Sequence, residues 1–466
     1  MATPTDIHVD KAGLTDGITG PVLTGDDRDV AVEVAGFNLA VVHRPAVTVG
    51  ATCAADVQRA VDWAGKRGMG VAVQATGHGA PTGISGAMLI TTSRMAAVTV
   101  DPILRTAKIA AGTRMRQVID AAAAHGLAPL TGSTPDVGAI GYATGGGLPI
   151  LGRTYGFAAD MIRGFEIVTA DGRVRQADAA HEPDLFWAVR GGKGSFGIVT
   201  SLTIELLPLT TLFGGALYYP AEAVADVLHA YREWSGTLPD AMTTSAVLLR
   251  LPPLPFVPPP LAGRLVIAVR LAYVGDAAEG QRLLEPMRRV ATPLMEQVGE
   301  LPYTQCGDIY RDPEDPLPFW EQGELLRDLP EAAVERLLDL AGDGVETPLV
   351  MVDLRQLGGA LRTPQREPNA VGGREAAFAL WVLGALMPPV AEAVPPAGRA
   401  VLQGMAAWST GGTLLNFCGA AFAPGDVARV WPPDMLARLQ AIKDGVDPEN
   451  LFRFGHVVVR SAGGTG

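Results

Sequence analysis

Apolar residues along this chain follow two rhythms, and the balance between them changes near Pro208. From Val47 onward, short β-favouring runs alternate with segments whose apolar positions recur at i, i+3, i+4 and i+7. Val57, Ala60, Val61 and Ala64 form one such stripe, with Thr52 placed to cap a helix and Gly68 to end it, and the strand Val71 to Gln74 follows directly. A strand at Lys108 to Ala110 leads into a second stripe, Met115, Val118, Ile119 and Ala122, which Thr113 is placed to cap and Gly126 to close. Phe165 to Val168, the turn pair Asp171 and Gly172 and a return strand from Arg173 predict a hairpin, and Ile198 to Leu206 a final strand.

Beyond Pro208 glycine thins out, and the run Leu251 to Ala262 (LPPLPFVPPPLA) carries too much proline for a central strand or a helix. Alternation in Arg264 to Leu271 and a helical stripe in Ala332 to Ala341 predict a sheet backed by helices, and Asp434 to Lys443 a late amphipathic helix. The fold class expected is therefore α+β. Three pieces are read: residues 1–208 with a core of about 40–208, residues 209–425, and a C-terminal segment 426–466.

Composition narrows the function. With 48% apolar and 18% charged residues, 466 residues bury full cores, and a net charge of −12 leaves no basic stripe for nucleic acid. Cys53, Cys306 and Cys418 have no paired spacing, so neither a metal site nor a disulfide framework is predicted, and a reducing compartment such as the cytoplasm fits. The N-terminal stretch has no basic segment followed by an apolar core, and no run of about 18 apolar residues occurs, so no membrane partner is expected.

Three glycine clusters lie near strand ends in the first half: Ala75 to Gly86, Gly132 to Gly147 and Gly191 to Gly197. Glycine lets a backbone approach a ligand closely, and free N–H groups in such loops can cradle a pyrophosphate. Each cluster alone reads more readily as a tight turn; three together favour one dinucleotide. Gly192, Gly194 and Gly197 satisfy G-x-G-x-x-G, but they precede a strand instead of opening a helix, which disfavours ordinary NAD binding. His78, between Gly77 and Gly79, is either a ligand-facing imidazole or a surface loop histidine.

From about Gly20 to Pro208 and again from about Thr413 to Val459, the chain resembles the FAD-linked oxidases of the vanillyl-alcohol oxidase type, in the berberine-bridge-enzyme-like branch. QATGH resembles that family's R-S-G-G-H loop, which implies FAD bonded through His78 and contacted by Ala75, Thr76, Gly77 and Gly79. Gly132 to Gly147 resembles a second loop, implying contacts from Thr134, Pro135, Val137, Gly138, Gly141, Tyr142, Thr144 and Gly145. Thr134 replaces the cysteine that gives some members a second flavin bond, so a single covalent link is expected. RTYGFAADMI, DLFWAVRGGKGSFGIVT and DPENLFRF continue the likeness, placing Gly197, Ile198 and Val199 along the adenine half and Asn450 near the flavin ring. Lys193 replaces a family glycine and reads either as a phosphate contact or as a solvated lysine.

The family's Y-x-N-Y segment looks like Leu414 to Phe417, which keeps Asn416 and lacks both tyrosines. Asn416 and Tyr142, the latter replacing a family histidine, are the catalytic candidates; Tyr303, Asp308 and Tyr310 are weaker ones, and His456 reads as structural. The resemblance implies a two-domain plan, a two-subdomain FAD-binding domain and a substrate domain whose antiparallel sheet is backed by helices. It also implies hydride transfer from a small organic substrate to flavin N5 and reoxidation by O2 to H2O2. The apolar, proline-rich middle favours a partly apolar substrate, with tailoring of a natural product as the leading reading. A non-redox cyclase and a drug-sequestering flavoprotein are the rivals, and monomer and homodimer both stay open.

Overall fold

The computed structural model describes residue 11 and residues 13–25, 27–80, 82–255, 257–364, 366–419, 424–456 and 458. The first ten residues, Pro81 of the first glycine cluster, Phe256 of the proline run and the end of the chain beyond Val458 lie outside the described residues.

The described strands fall into three sheets. The first joins β1 (Val22–Thr24), β2 (Val47–Gly50), β3 (Val71–Gln74) and β4 (Met88–Thr91) in the order β1-β2-β4-β3, with β2, β4 and β3 parallel. The second is antiparallel and joins β5 (Val98–Asp101), β6 (Thr106–Ala110), β7 (Ile162–Val168), β8 (Val174–Asp178) and β9 (Ile198–Glu205) in the order β5-β6-β9-β7-β8. β7 and β8 are the expected hairpin, turning at Gly172 with φ +71°.

The third sheet has seven antiparallel strands: β10 (Thr211–Pro220), β11 (Met242–Arg250), β12 (Leu265–Tyr273), β13 (Met295–Pro302), β14 (Phe319–Leu326), β15 (Met351–Gln356) and β16 (Phe378–Ala385). Their order is β13-β10-β12-β11-β15-β16-β14. The architecture is α+β, as expected.

Both stripes became helices, at Ala54–Gly65 and Met115–Ala123, and their apolar faces join one core with the first two sheets. Burying each valine or isoleucine there is worth roughly 1.5–3 kcal/mol. The caps differ from expectation. Thr52 donates its hydroxyl to Asp56 at 2.8 Å, and the N-cap position falls to Cys53. Thr113 donates to the Ala97 carbonyl at 3.1 Å, and the second helix is closed by the Gln117 side chain, which accepts from Arg114 N at 2.9 Å. In both places another acceptor, Asp56 in the first turn or the Ala97 carbonyl on a neighbouring segment, outcompetes the local N–H groups.

Helices Val224–Ser235, Ala277–Arg288, Glu331–Ala341 and Val394–Gly404 cover one face of the seven-stranded sheet. The other face meets the glycine-rich loops at one end, through Leu325, Ala379, Leu148, Phe157, Val371 and Leu414. The proline run covers the far end, where Val257 and Leu261 pack on Ala216, Tyr218, Val247 and Met351.

The last helix, Pro433–Val446, returns to the first half of the chain. Its Lys443 is fully buried and donates to Asp447 at 2.6 Å, to the Ser195 carbonyl at 2.7 Å and to the Phe452 carbonyl at 2.8 Å. Asp447 in turn accepts from Leu451 N at 2.7 Å and Phe452 N at 2.9 Å. That knot ties the DPENLFRF block to the third glycine loop. Among the described residues, no helix is long and apolar enough to cross a membrane.

Candidate active site

Strand β3 delivers its loop against the segment Val34 to Phe37. Gln74 donates to the Val34 carbonyl at 3.0 Å and pairs with His43 at 2.9 Å, and Phe37 N donates to the Thr76 carbonyl at 2.9 Å. Gly77 has φ +73°, and a Cβ there would lie 2.5 Å from Gly36 Cα, so only glycine lets the two chains cross. The crossing lays Phe37 on His78, ring centroids 3.8 Å apart and planes 10° from parallel.

His78 is thus held in one orientation. Its Nε2 is hidden from solvent and has no hydrogen-bond partner. Burial, with the Arg114 charge, lowers its pKa to about 4 against the opposing pull of Asp312, so the imidazole is neutral at physiological pH.

The second loop docks beside it. Gly138 N donates to Thr76 Oγ1 at 3.2 Å, a Cβ on Gly138 would sit 3.2 Å from that of Ala75, and Pro135 and Val137 are fixed by backbone bonds to Arg116 and Met115. Thr134 Oγ1 accepts from Asp136 N. The short helix Ala139–Thr144 follows, with Thr144 bonded back to the Ile140 carbonyl at 2.7 Å. Tyr142 lies against Gly132 and Gly147, its hydroxyl hidden and unpartnered, and burial holds its pKa well above the ordinary phenol value.

Asn416 meets this helix from the other end of the sequence, donating to the Tyr142 carbonyl at 2.9 Å. A Cβ on Gly145 would fall 2.1 Å from Asn416 Oδ1. The third loop adds Lys193, whose amine donates to Asn416 Oδ1 at 3.3 Å and approaches Gly79 and Gly141. Lys193 is therefore not a solvated surface lysine; burial lowers its pKa, with Cys418 and Glu321 opposing.

Facing these loops is a polar row on the seven-stranded sheet. Arg270 on β12, Ser245 on β11 and Arg355 on β15 are directly opposite one another. One step along lie Asp353, Trp381 on β16 and Gly323 on β14, and one more brings Glu321. Phe417 sits over Gly323, edge-on to Trp381 at 5.3 Å. Phe37 completes the circuit, since it also meets Phe319, two residues before Glu321 on β14.

Glu321 is buried. That burial raises its pKa to about 8, partly countered by the Trp381 indole and by the charges of Lys193 and Arg355.

Residues 45–178 match the FAD binding domain family. The chain is 28% identical to (R)-6-hydroxynicotine oxidase of Paenarthrobacter nicotinovorans, over 89% of this chain and 91% of that protein. It is 24% identical to the uncharacterized FAD-linked oxidoreductase YgaK of Bacillus subtilis, over 94% and 96%. Among solved structures, 6-hydroxy-D-nicotine oxidase of Arthrobacter nicotinovorans superposes with a TM-score of 0.83 at 23% identity, covering 97% of this chain and 100% of that one. The berberine-bridge-enzyme-like 1 protein of Physcomitrella patens gives 0.84 at 19%, covering 96% and 98%.

Residues 45–178 belong to the FAD binding domain family, and the chain as a whole is similar to FAD-linked oxidases and oxidoreductases.

This FAD-linked oxidoreductase has FAD as its cofactor, and its loops fit that group. The hidden, unpartnered His78 Nε2 and Tyr142 hydroxyl are what a bound ring system with polar edges would satisfy, and the loops that carry them meet through glycines. Of the other expected contacts, Gly197 (φ +153°) opens β9, with Ile198 and Val199 buried and paired to Val168 and Ile167.

Asn450 has a left-handed backbone, φ +52°. Its segment binds the start of β3, where Val71 N donates to the Leu451 carbonyl at 2.9 Å, while His78 follows the other end of that strand. The Lys443–Asp447 knot fixes that segment, with Asp447 accepting from Leu451 N and Phe452 N. His456 is structural, pairing with the Gly419 carbonyl at 3.0 Å.

Glu321, Arg270, Asp353 and Arg355 escaped the sequence reading. The signal they offered was a charge inside an otherwise apolar strand, as in LVIAVRLAY, but which face it joined depended on pairings between distant strands.

Proposed function

We propose that this enzyme is an oxidase that removes two electrons from a small, partly apolar organic molecule and passes them to O2, forming H2O2, with FAD bonded once, through His78. The carrying observation is the state of that side chain: a neutral imidazole, stacked by Phe37, with a nitrogen that has no hydrogen-bond partner among the described residues. A nitrogen lone pair is what a covalent link requires. Glucooligosaccharide oxidase of Acremonium strictum, similar in fold with a TM-score of 0.79 at 19% identity, carries a 6-S-cysteinyl, 8α-N1-histidyl FAD. In this chain Thr134 stands at the position the resemblance gives to the cysteine, which supports a single bond.

Bound FAD supplies the redox chemistry, accepting hydride at N5 and then yielding electrons to O2. The chain's residues do the rest. The loops 75–79 and 132–145 hold the cofactor, and residues 197–199 extend that cradle. Glu321 takes the hydroxyl or amine proton of the substrate and is the group that stands in for the missing tyrosine hydroxyls at Leu414 and Phe417. Tyr142 stays a neutral phenol and serves as a hydrogen-bond donor, not as a base. Asn416 holds the Tyr142 turn and Lys193 in place. Trp381, Phe417 and Tyr310 give the substrate side an apolar wall, which supports a natural-product intermediate over a free sugar. Residues 1–208 and 426–466 form the cofactor part and residues 209–425 the substrate part of the same proposal.

The test is acid precipitation of the purified protein. Yellow colour should stay with the pellet, and His78→Ala should release it to the supernatant. A colourless protein that takes up no added FAD sinks the proposal.

A further inference from the structure

The polar row on the sheet pairs two guanidinium groups with one neighbouring carboxylate, and all three are buried. Arg270 and Arg355 are 2% and 6% exposed, and the Asp353 between them is fully buried. Asp353 cannot satisfy both. Its Oδ2 accepts from Arg355 Nε at 2.8 Å, leaving Arg270 Nη1 at 3.8 Å, while Arg270 Nη2 donates to the Tyr310 carbonyl at 3.2 Å. Arg355 Nη2 and Arg270 Nε and Nη1 are left hidden from solvent with no hydrogen-bond partner, and Asp353 Oδ1 is also unmet.

Unpaired buried donors are costly, and a family of guanidinium donors on one face is not explained by packing alone. Glu321, the other acid of this face, does not balance them, because at neutral pH it is largely protonated. The Arg355 guanidinium is meanwhile ringed by aromatic side chains. Its carbon lies 5.0 Å from the ring centres of Tyr310 and Trp381 and 5.4 Å from that of Phe417. Burial works against its charge, but the carboxylates of Asp353 and Asp312 offset that, so it stays protonated.

Resting on the oxidase reading above, we infer that the substrate of this enzyme is an organic carboxylate, an apolar or aromatic body bearing one carboxyl group that docks on Arg355 and Arg270. A carboxylate matches the planar fork of a guanidinium with two parallel hydrogen bonds, which an amide cannot do. The aromatic wall around Arg355 receives the apolar body. The carboxylate supplies the charge that Asp353 alone does not. Asp353 Oδ1 is left for a hydroxyl or amine donor on the same molecule.

The experiment uses the yellow holoenzyme and three matched pairs of probes: benzoate, phenylacetate and 3-phenylpropionate against their primary amides. Binding is read from the flavin difference spectrum and from thermal stabilisation. At least one acid should bind about tenfold or more tightly than its amide. Arg355→Gln should remove that preference while keeping the flavin and the affinity for the amide, and Arg270→Gln should weaken it in the same direction. Equal affinity of acids and amides in the yellow protein, no binding of either series, or an undiminished preference in both variants overturns the inference. Absence of flavin in the purified protein overturns instead the oxidase reading on which it rests.

Discussion

Replacing Glu321 with glutamine keeps the shape of the side chain and removes its proton equilibrium. In the folded protein this carboxyl titrates at about 8, against 4.5 for an unhindered glutamate. Its pKa is raised, so the folded state holds the proton more tightly than the unfolded chain does. The stability this gives is complete below the unfolded value and is lost as pH rises through the folded one. Working the linkage through, ionisable Glu321 costs roughly 2 kcal/mol at pH 6 and about 5 kcal/mol at pH 9 relative to a permanently neutral side chain.

The expected result is therefore a stability gap between Glu321→Gln and wild type that widens by roughly 2–3 kcal/mol from pH 6 to pH 9. Lys193, Arg355 and Trp381 face the group, and they remain in both proteins, so the other titrations cancel in the difference. Urea unfolding followed by tryptophan fluorescence measures it at both pH values. A gap that stays constant, or narrows, refutes the argument that burial dominates this carboxyl.

Three further outcomes follow from named contacts. If Glu321 is the base, kcat/KM should climb with pH up to about 8, and Glu321→Gln should abolish that limb; a profile unchanged in the variant removes Glu321 from the mechanism. Lys443→Met removes the counter-charge of the buried Asp447 carboxylate and the donor to two carbonyls, which should cost about 3–5 kcal/mol in urea unfolding; a loss under about 1 kcal/mol means the knot is not a buried ion pair. Gly145→Ala puts a methyl on top of Asn416 Oδ1, so it should lower stability by about 1–3 kcal/mol and weaken flavin retention; a fully yellow protein of unchanged stability means Asn416 can move aside freely.

Much of this molecule could be read along the chain because the relevant physics is local. The two apolar stripes needed only helical geometry to become Ala54–Gly65 and Met115–Ala123, and Asp171-Gly172 needed only a left-handed glycine to turn β7 into β8. The glycine loops and His78 were visible for the same reason: they are contiguous words. The caps differ from the local pattern because Thr52 bonds to Thr19 and Asp56 and Thr113 to the Ala97 carbonyl, partners that cap signals do not record.

The substrate face is the opposite case. Glu321, Arg355 and Arg270 are ordinary charges in apolar strands, and they become a site only because β14, β15 and β12 take their places in a seven-stranded sheet. Strand order is set by loop closure and by how whole helices pack behind the sheet, so it is not written in any one segment. The chain by itself determined the glycine loops and the imidazole that β3 delivers among them. Only the tertiary structure decided what faces them, because burial and charge pairing are properties of neighbours that the sequence holds hundreds of residues apart.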